Sequence, residues 1–398
     1  MEGPVQRIFK LNLIVMRLLG FYPPQKFKKI YQLYAYAVYV TFTIPVPTLA
    51  AVHLLVSDNV DLAQVGDGSF MMFQVGCFIA KLVPFIFHSE VIRKSIYMLE
   101  WPVFNNYSQK QEVIIEKGVK TCKRITWLFL GFCVTAATSW AVTPLFGSGH
   151  TFPIEIWLPF DATSNKNIYV FTYIFIASGV FNGGTSNGVI DPLVAGMACF
   201  AATQLRVLKD NLQNLGADAE EIVRASYNEE NKQLKEKLRN DIIYNKIGEC
   251  ITHHAAIIKF IKHYEKVYSP VLFTQLMAAV VVVCLCCLEL SLLEPTSFKF
   301  HVMIIFLLTM LLEIFLHCYF GSSLYDESNS LTTAIYMGTW YEYDLKCKKS
   351  LIILMERSKK PIMITAGIIL ESSLVTFTTI LRRAYSLLAV LQNYKIDM

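Results

Sequence analysis

Seven stretches of this chain are long and apolar enough to cross a bilayer: residues 31–56, 68–87, 125–146, 168–200, 268–293, 298–320 and 362–393. A helix needs about 20 mostly apolar residues to span a hydrocarbon core of about 30 Å. Within that core every backbone N–H and C=O must be satisfied by the protein itself, so runs of this length fold as helices. The composition agrees, with 54% of residues hydrophobic and 17% charged and a mean hydropathy of +0.43. A soluble domain of 398 residues would need far more polar surface. The chain reads as an all-α polytopic membrane protein with seven transmembrane helices.

Charge placement predicts the orientation. Lys and Arg alternate from one connection to the next, with 30 on one side of the bilayer against 3 on the other. Basic residues stay in the cytoplasm, so the N-terminus is placed inside and the C-terminus outside. That order is opposite to a G-protein-coupled receptor. The single glycosylation sequon, Asn106-Tyr107-Ser108, then falls in a cytoplasmic loop where it cannot be used. No signal peptide is evident. The opening segment carries Arg7, Lys10 and Arg17 among apolar residues and reads as an amphipathic helix at the cytoplasmic interface.

The fourth stretch is 33 residues long, or about 50 Å as a helix. The fifth is able to begin near Thr252. Both are expected to continue into the cytoplasm as a packed bundle. "GGTSNG" at 183–188 interrupts the fourth. It is not a phosphate loop, since no strand precedes it and no Lys closes it; a bend or a close helix contact fits better. The charged run through 201–267 reads as a solvated helical loop.

No constellation points to catalysis, and the chain is not read as an enzyme. Ionisable groups in the spans include Lys81, Asp191, Glu289, Glu313, His317, Arg382 and Arg383. Most sit near span ends, where snorkelling is enough; Asp191 is deeper and is a candidate partner for Lys81. The ten cysteines are read as free thiols, because none falls in an extracellular loop. Cys250, His253 and His254 share a helix face, but no fourth metal ligand lies nearby. No metal, cofactor or nucleic acid is expected. The outer halves of spans two to four carry Phe70, Phe73, Gln74, Cys133, Ala136, Trp140, Tyr169 and Tyr173, and span six adds Phe306 at similar depth. Such a lining suits a small volatile or lipophilic ligand; ordinary helix packing would account for each residue singly.

The last span poses a problem of its own. Arg382 and Arg383 stand in the middle of "TFTTILRRAYSLLAVLQ". At helical spacing Thr379, Arg382, Ser386, Ala389 and Gln392 form a polar or small stripe. Phe377, Ile380, Ala384, Leu387 and Leu391 form an apolar one. A polar face exposed to lipid is costly. It is relieved either by several copies around a water-filled pore or by other helices of the same chain.

The C-terminal region resembles the insect odorant receptor family. The residues that carry the resemblance are "AIYMGTWY" with Trp340 and Tyr341, Pro361, Thr365-Ala366-Gly367, "SLVTFTTIL", Ala384-Tyr385-Ser386 and, further upstream, "LPFD" from Leu158 to Asp161. Family members often have one basic residue where this chain has Arg382-Arg383. The related gustatory receptors end in a different Thr-Tyr-(five apolar)-Gln-Phe pattern. The family co-receptor is longer, so this chain is placed as a ligand-tuning subunit.

The resemblance implies an odorant-gated, non-selective channel for monovalent and divalent cations, a heterotetramer with the co-receptor in membrane lipid. It implies a plasma-membrane location, in a sensory neuron dendrite. In that scheme 1–30 is the cytoplasmic N-terminal segment, and 31–200 holds helices one to four with a pocket for a small volatile organic ligand. Residues 201–267 are the charged cytoplasmic loop and 268–320 helices five and six. Residues 321–361 form a cytoplasmic anchor helix, and 362–398 the pore-lining helix. Thr379, Arg382, Ser386, Leu388, Ala389 and Gln392 would line the pore; Trp340, Tyr341 and Tyr385 would meet neighbouring subunits. The alternative is an inverted seven-span chemoreceptor, gustatory-like or without a pore, signalling through cytoplasmic partners.

Overall fold

The computed structural model describes residues 3–24, 26–56, 76, 78–79, 81–82, 89–146, 151–163, 165–226, 232–367 and 369–396, with side chains to 390 in the last helix. The fold is all-α. Among the described residues, five helical segments are long and apolar enough to cross a membrane: Lys28–His53, Glu112–Leu145, Lys166–Gln213, Lys232–Leu292 and Phe298–Tyr336. The second expected span, 68–87, lies mostly outside the described residues.

Helix α1 (Pro4–Leu18) does more than lie at an interface. Its Phe9 and Met16 are fully buried, and Asn12 donates to the Val189 carbonyl at 2.8 Å. Val189 lies three residues before Pro192, whose missing N–H leaves the neighbouring Gly188 carbonyl without its ladder donor.

The first span is interrupted. Helix α2 (Lys28–Val38) passes through a π-helical turn, Tyr39–Thr43, into α3 (Pro45–Val56). Pro45 and Pro47 remove two backbone donors within one turn, and the wider turn lies just before them. Short helices α4 (Ser89–Leu99) and α5 (Pro102–Asn105) lead to α6 (Glu112–Val142). Helix α7 (Lys166–Gln213) has 48 residues and α9 (Lys232–Leu292) has 61, joined through α8 (Leu215–Ser226). The charged segment is therefore mostly a continuation of the spans. The fifth helix starts at Lys232, some way before Thr252, because the run from Lys232 carries no Gly or Pro breaker until Gly248 and buries Ile243 and Ile247 on one side.

Helix α10 (Phe298–Asn329) passes beyond 320, so the expected single anchor helix is in pieces: α10's end, α11 (Leu331–Tyr336), a 3-10 turn at Trp340–Glu342, and α12 (Leu345–Ser358). Asp344 caps α12, accepting from the Cys347 N–H at 2.8 Å. Hydrogen bonds from the Cys347 thiol and backbone hold the Asp344 carboxyl below its usual value.

The last span also starts later than expected. Residues 362–367 and 369–373 are not helical: Thr365–Ala366 pairs antiparallel with Leu370–Glu371 in a small hairpin. Gly367 at its turn has φ +66°, and a Cβ there would meet the Phe273 ring at 2.8 Å. The hairpin is tied to α9 by Gly367 N–H to the Ser269 carbonyl at 3.1 Å and by Thr365 to Glu265. It is tied to α10 by Ser372 Oγ to the His317 carbonyl at 2.9 Å. Ser373 Oγ accepts from Thr376 N–H and opens α13 (Leu374–Ile396).

Candidate functional site

A cavity of about 170 Å³ opens between the first, second, third, fourth and sixth spans. Thr43 and Val46 face it from the first span, at the π turn and the prolines that follow. Cys133, Ala136 and Trp140 come from α6, and Phe306, Thr309 and Glu313 from α10. The roof is built by Trp140, whose indole N–H donates to the Pro153 carbonyl at 2.8 Å and whose ring lies 6.1 Å from that of Phe306.

The glycine-rich run of α7 shapes the wall. A Cβ on Gly184 would stand 2.9 Å from the Ala137 methyl, and one on Gly188 would stand 2.8 Å from Leu130. These glycines let α7 and α6 approach closely, one of the two readings the sequence left open. Gly183 is different: a Cβ there meets nothing within 4 Å. It borders the cavity, so its missing side chain is part of the empty space.

The floor is ionic. Lys81 Nζ lies 2.8 Å from Asp191 Oδ2 and 2.7 Å from Glu313 Oε1, and donates to Asn187 Oδ1 at 2.8 Å. Gln275 donates to the same Glu313 oxygen. His317 Nε2 is 3.6 Å from Asp191 Oδ1. Lys81, Asp191, Glu313 and His317 are each no more than 4% exposed. The snorkelling expected of Glu313 and His317 is thus corrected: both turn inward to meet Asp191 and Lys81. The Lys81–Asp191 pair itself was anticipated; its extension to Glu313 and Gln275 was not.

Of the expected ligand-lining residues, the structure brings together Cys133, Ala136, Trp140 and Phe306. Phe70, Phe73 and Gln74 lie outside the described residues. Tyr169 and Tyr173 stand outside the cavity wall. Tyr169 donates to the Thr151 carbonyl at 2.9 Å, Tyr173 donates to the Ala141 carbonyl, and the two rings pack together at 5.9 Å. The Tyr169 hydroxyl fastens the start of α7 to the connecting loop, and that of Tyr173 fastens it to the end of α6. Thr43, Asn187 and Glu313 were missed. The buried Lys in span two was the available signal, because such a charge demands carboxylate partners. A second cleft of about 660 Å³ lies toward the opposite end of α6. Gln111, Asp218 and Lys246 border it, a polar lining ill suited to an apolar guest.

Helix α13 packs one face on its own chain. Ile380 and Ala384 are buried, Phe377 meets the Phe315 ring at 5.6 Å, and Leu388 is half-buried against the same core. Thr379, Arg382 and Ser386 are exposed, Ala389 is half-buried, and Arg383 and Tyr385 are exposed. The side chain of Gln392 is outside the described set. Leu387, expected on the packed stripe, is 37% exposed, and Leu388 takes its place. The reason is the hand of packing: the positions 377, 380, 384 and 388 follow the 3-4-4 spacing of a helix seam. Neither arginine has an ion-pair partner among the described residues.

A family model described as "7tm Odorant receptor" matches residues 61–385. The chain belongs to the odorant receptor family. It is a multi-pass membrane receptor of olfaction and not an enzyme. The receptor is 22% identical to "Odorant receptor Or1" of Anopheles gambiae, over 97% of this chain and 95% of that one. It is 22% identical to "Odorant receptor 94a" of Drosophila melanogaster, over 99% of each. Its fold matches the olfactory receptor OR5 of Machilis hrabei solved in complex with eugenol, with a TM-score of 0.82 at 16% identity over 98% of both chains. The same relative without that ligand named gives a TM-score of 0.76 over 96% of both chains.

In the receptor, the segment expected as an anchor shows large apolar side chains on its surface. Tyr336, Met337, Tyr341 and Ile353 are 62–75% exposed, and Trp340 is half-buried beside Tyr336, with ring centroids 6.5 Å apart.

Proposed function

We propose that this receptor is the ligand-tuning subunit of an odorant-gated, non-selective cation channel, assembled as a heterotetramer with the odorant receptor co-receptor. The observation that carries this reading is the uncovered polar face of α13. Thr379, Arg382 and Ser386 are exposed, so the chain does not bury them against its own helices. At bilayer depth such a face needs water or polar neighbours, and a central pore shared with other subunits supplies both. Leu388, expected to line the pore, packs on the receptor's own core; a ring of small apolar side chains near the outer end, around Ala389, closes such a pore by dewetting.

The cavity beneath Trp140 is the proposed odorant site; its volume fits a single-ring volatile and its walls are apolar. The exposed apolar side chains Tyr336, Met337, Tyr341 and Ile353 are the proposed anchor contacts between subunits, with Tyr385 meeting a neighbour nearer the pore. The N-terminus is cytoplasmic in this reading, on the strength of the basic asymmetry, and the complex sits in the plasma membrane of a sensory dendrite.

Whole-cell current is the test. Cells expressing the receptor with the co-receptor, exposed to a panel of single-ring volatiles, should show inward current that reverses near zero in mixed sodium and potassium. Cells expressing the receptor alone should show none. Ligand-evoked second messengers without current would favour a receptor lacking a pore.

A further inference from the structure

The walls of the cavity are apolar and its floor is not, so ligand chemistry is decided at the floor. Asn187 and Glu313 both border the empty space. The other polar groups there each already hold a partner. The Thr309 hydroxyl donates to the Ile305 carbonyl at 2.8 Å, the Thr43 hydroxyl accepts from Asn182 at 3.1 Å, and the Trp140 N–H donates to Pro153.

Asn187 gives its carbonyl oxygen to Lys81. Its amide NH₂ therefore points its two donors elsewhere, and no described residue accepts from them. Glu313 offers about four acceptor sites as a carboxylate. Lys81 and Gln275 use two, both on Oε1. The cluster holds one ammonium and two carboxylates, with the His317 ring 3.6 Å from Asp191, so at Glu313 an incoming donor is favoured and an incoming carboxylate is opposed.

We infer that Asn187 and Glu313 select ligands with a hydroxyl group at one end of an apolar, single-ring body. A hydroxyl is both donor and acceptor: its proton goes to Glu313 and its lone pair takes the Asn187 N–H. An ether fills only the second role and a hydrocarbon neither. A cavity of about 170 Å³ holds a guest the size of a substituted benzene, since about 150 Å³ accommodates benzene itself. Burying Glu313 and Asn187 beneath a hydrocarbon removes water from polar groups without replacing it, which is the penalty that separates the two ligand classes.

This inference rests on the cavity being the ligand site, and the experiment separates the two. Thermal unfolding of the purified receptor is followed against concentration for two shape-matched pairs: p-cresol with p-xylene, and benzyl alcohol with ethylbenzene. Three variants are compared with the parent: Glu313→Gln, Asn187→Ala and Gly183→Leu. Leucine at 183 fills the cavity from a position with open space around its Cβ, so it should abolish every ligand-induced shift.

In the parent the hydroxyl member of each pair should bind on the order of tenfold tighter. Glu313→Gln and Asn187→Ala should each shrink that ratio while leaving hydrocarbon binding in place. Simple damage to the fold would weaken both members alike. Should Glu313→Gln fail to fold, the parent ratio and Asn187→Ala decide. A parent ratio within about threefold, or a ratio unchanged in the variants that fold, overturns the inference while the cavity reading stands. If Gly183→Leu leaves the shifts intact, or no probe produces one, the cavity reading falls and the inference with it.

Discussion

Lys81 is the residue whose environment says most about the interior. It is 3% exposed and shared by Asp191 and Glu313. A buried pair of this kind is weak as a source of net stability, because desolvation offsets attraction; removing one partner is what costs. Lys81→Met would leave two carboxylates facing each other without a cation. The expected destabilisation is about 3–5 kcal/mol, read as lost surface expression and a lower unfolding temperature. Adding Asp191→Asn and Glu313→Gln to Lys81→Met should restore much of it. A single variant that unfolds at the parent temperature would show that the cluster is not held together by the lysine. From the sequence, Lys81 and Asp191 were legible as a pair, since both are charges within apolar stretches. Glu313 was not, because it is 232 positions from Lys81 and its place along the sixth span allowed an outward reach.

At the scale of an element, α13 shows what a hydropathy pattern does and does not decide. Its 3-4-4 apolar seam was visible in outline, but the seam runs through Leu388 instead of Leu387. The run 362–373 looked helical by hydropathy; Pro361, the left-handed Gly367 and the capping Ser373 make it a hairpin clamped to α9 and α10. That clamp places the start of α13 directly against α10. A Cβ on Gly321 would come within 1.9 Å of the Ser372 carbonyl. Cysteine substitution along the helix tests the proposed pore face. A water-soluble thiol reagent applied with an activating volatile should modify positions 379, 382 and 386 and spare 380 and 384, which are packed on the same chain. Modification at 385 and 387 in place of 379, 382 and 386 would turn the water-facing side of the helix away from Arg382.

For the whole molecule, the long helices are the organising fact. Helices of 48 and 61 residues reach about 70–90 Å at the helical rise, far beyond a bilayer about 30 Å thick in its hydrocarbon core. The excess carries most of the basic residues between 201 and 267, so one end of the molecule is a charged helical bundle. With basic residues retained inside, epitope tags at the N-terminus should stain only after permeabilisation and tags at the C-terminus without it. A surface-stained N-terminal tag would invert the molecule and move the cavity to the cytoplasmic half.

The sequence by itself determined the class, the approximate spans, the charge asymmetry and the family motifs, because these are local properties: a window of apolar residues, a count of Lys and Arg, a run of side chains in order. It also singled out Trp140, Cys133, Ala136 and Phe306, which do meet at one cavity. Only the tertiary structure decided that Tyr169 fastens a loop and Tyr173 the end of α6, while Thr43, Asn187 and Glu313 border the empty space. Hydropathy and spacing are the same for a residue facing a cavity and a residue facing a neighbouring helix. The difference arises where helices from distant parts of the chain pack, and where a glycine such as Gly183 leaves a gap that no neighbour fills.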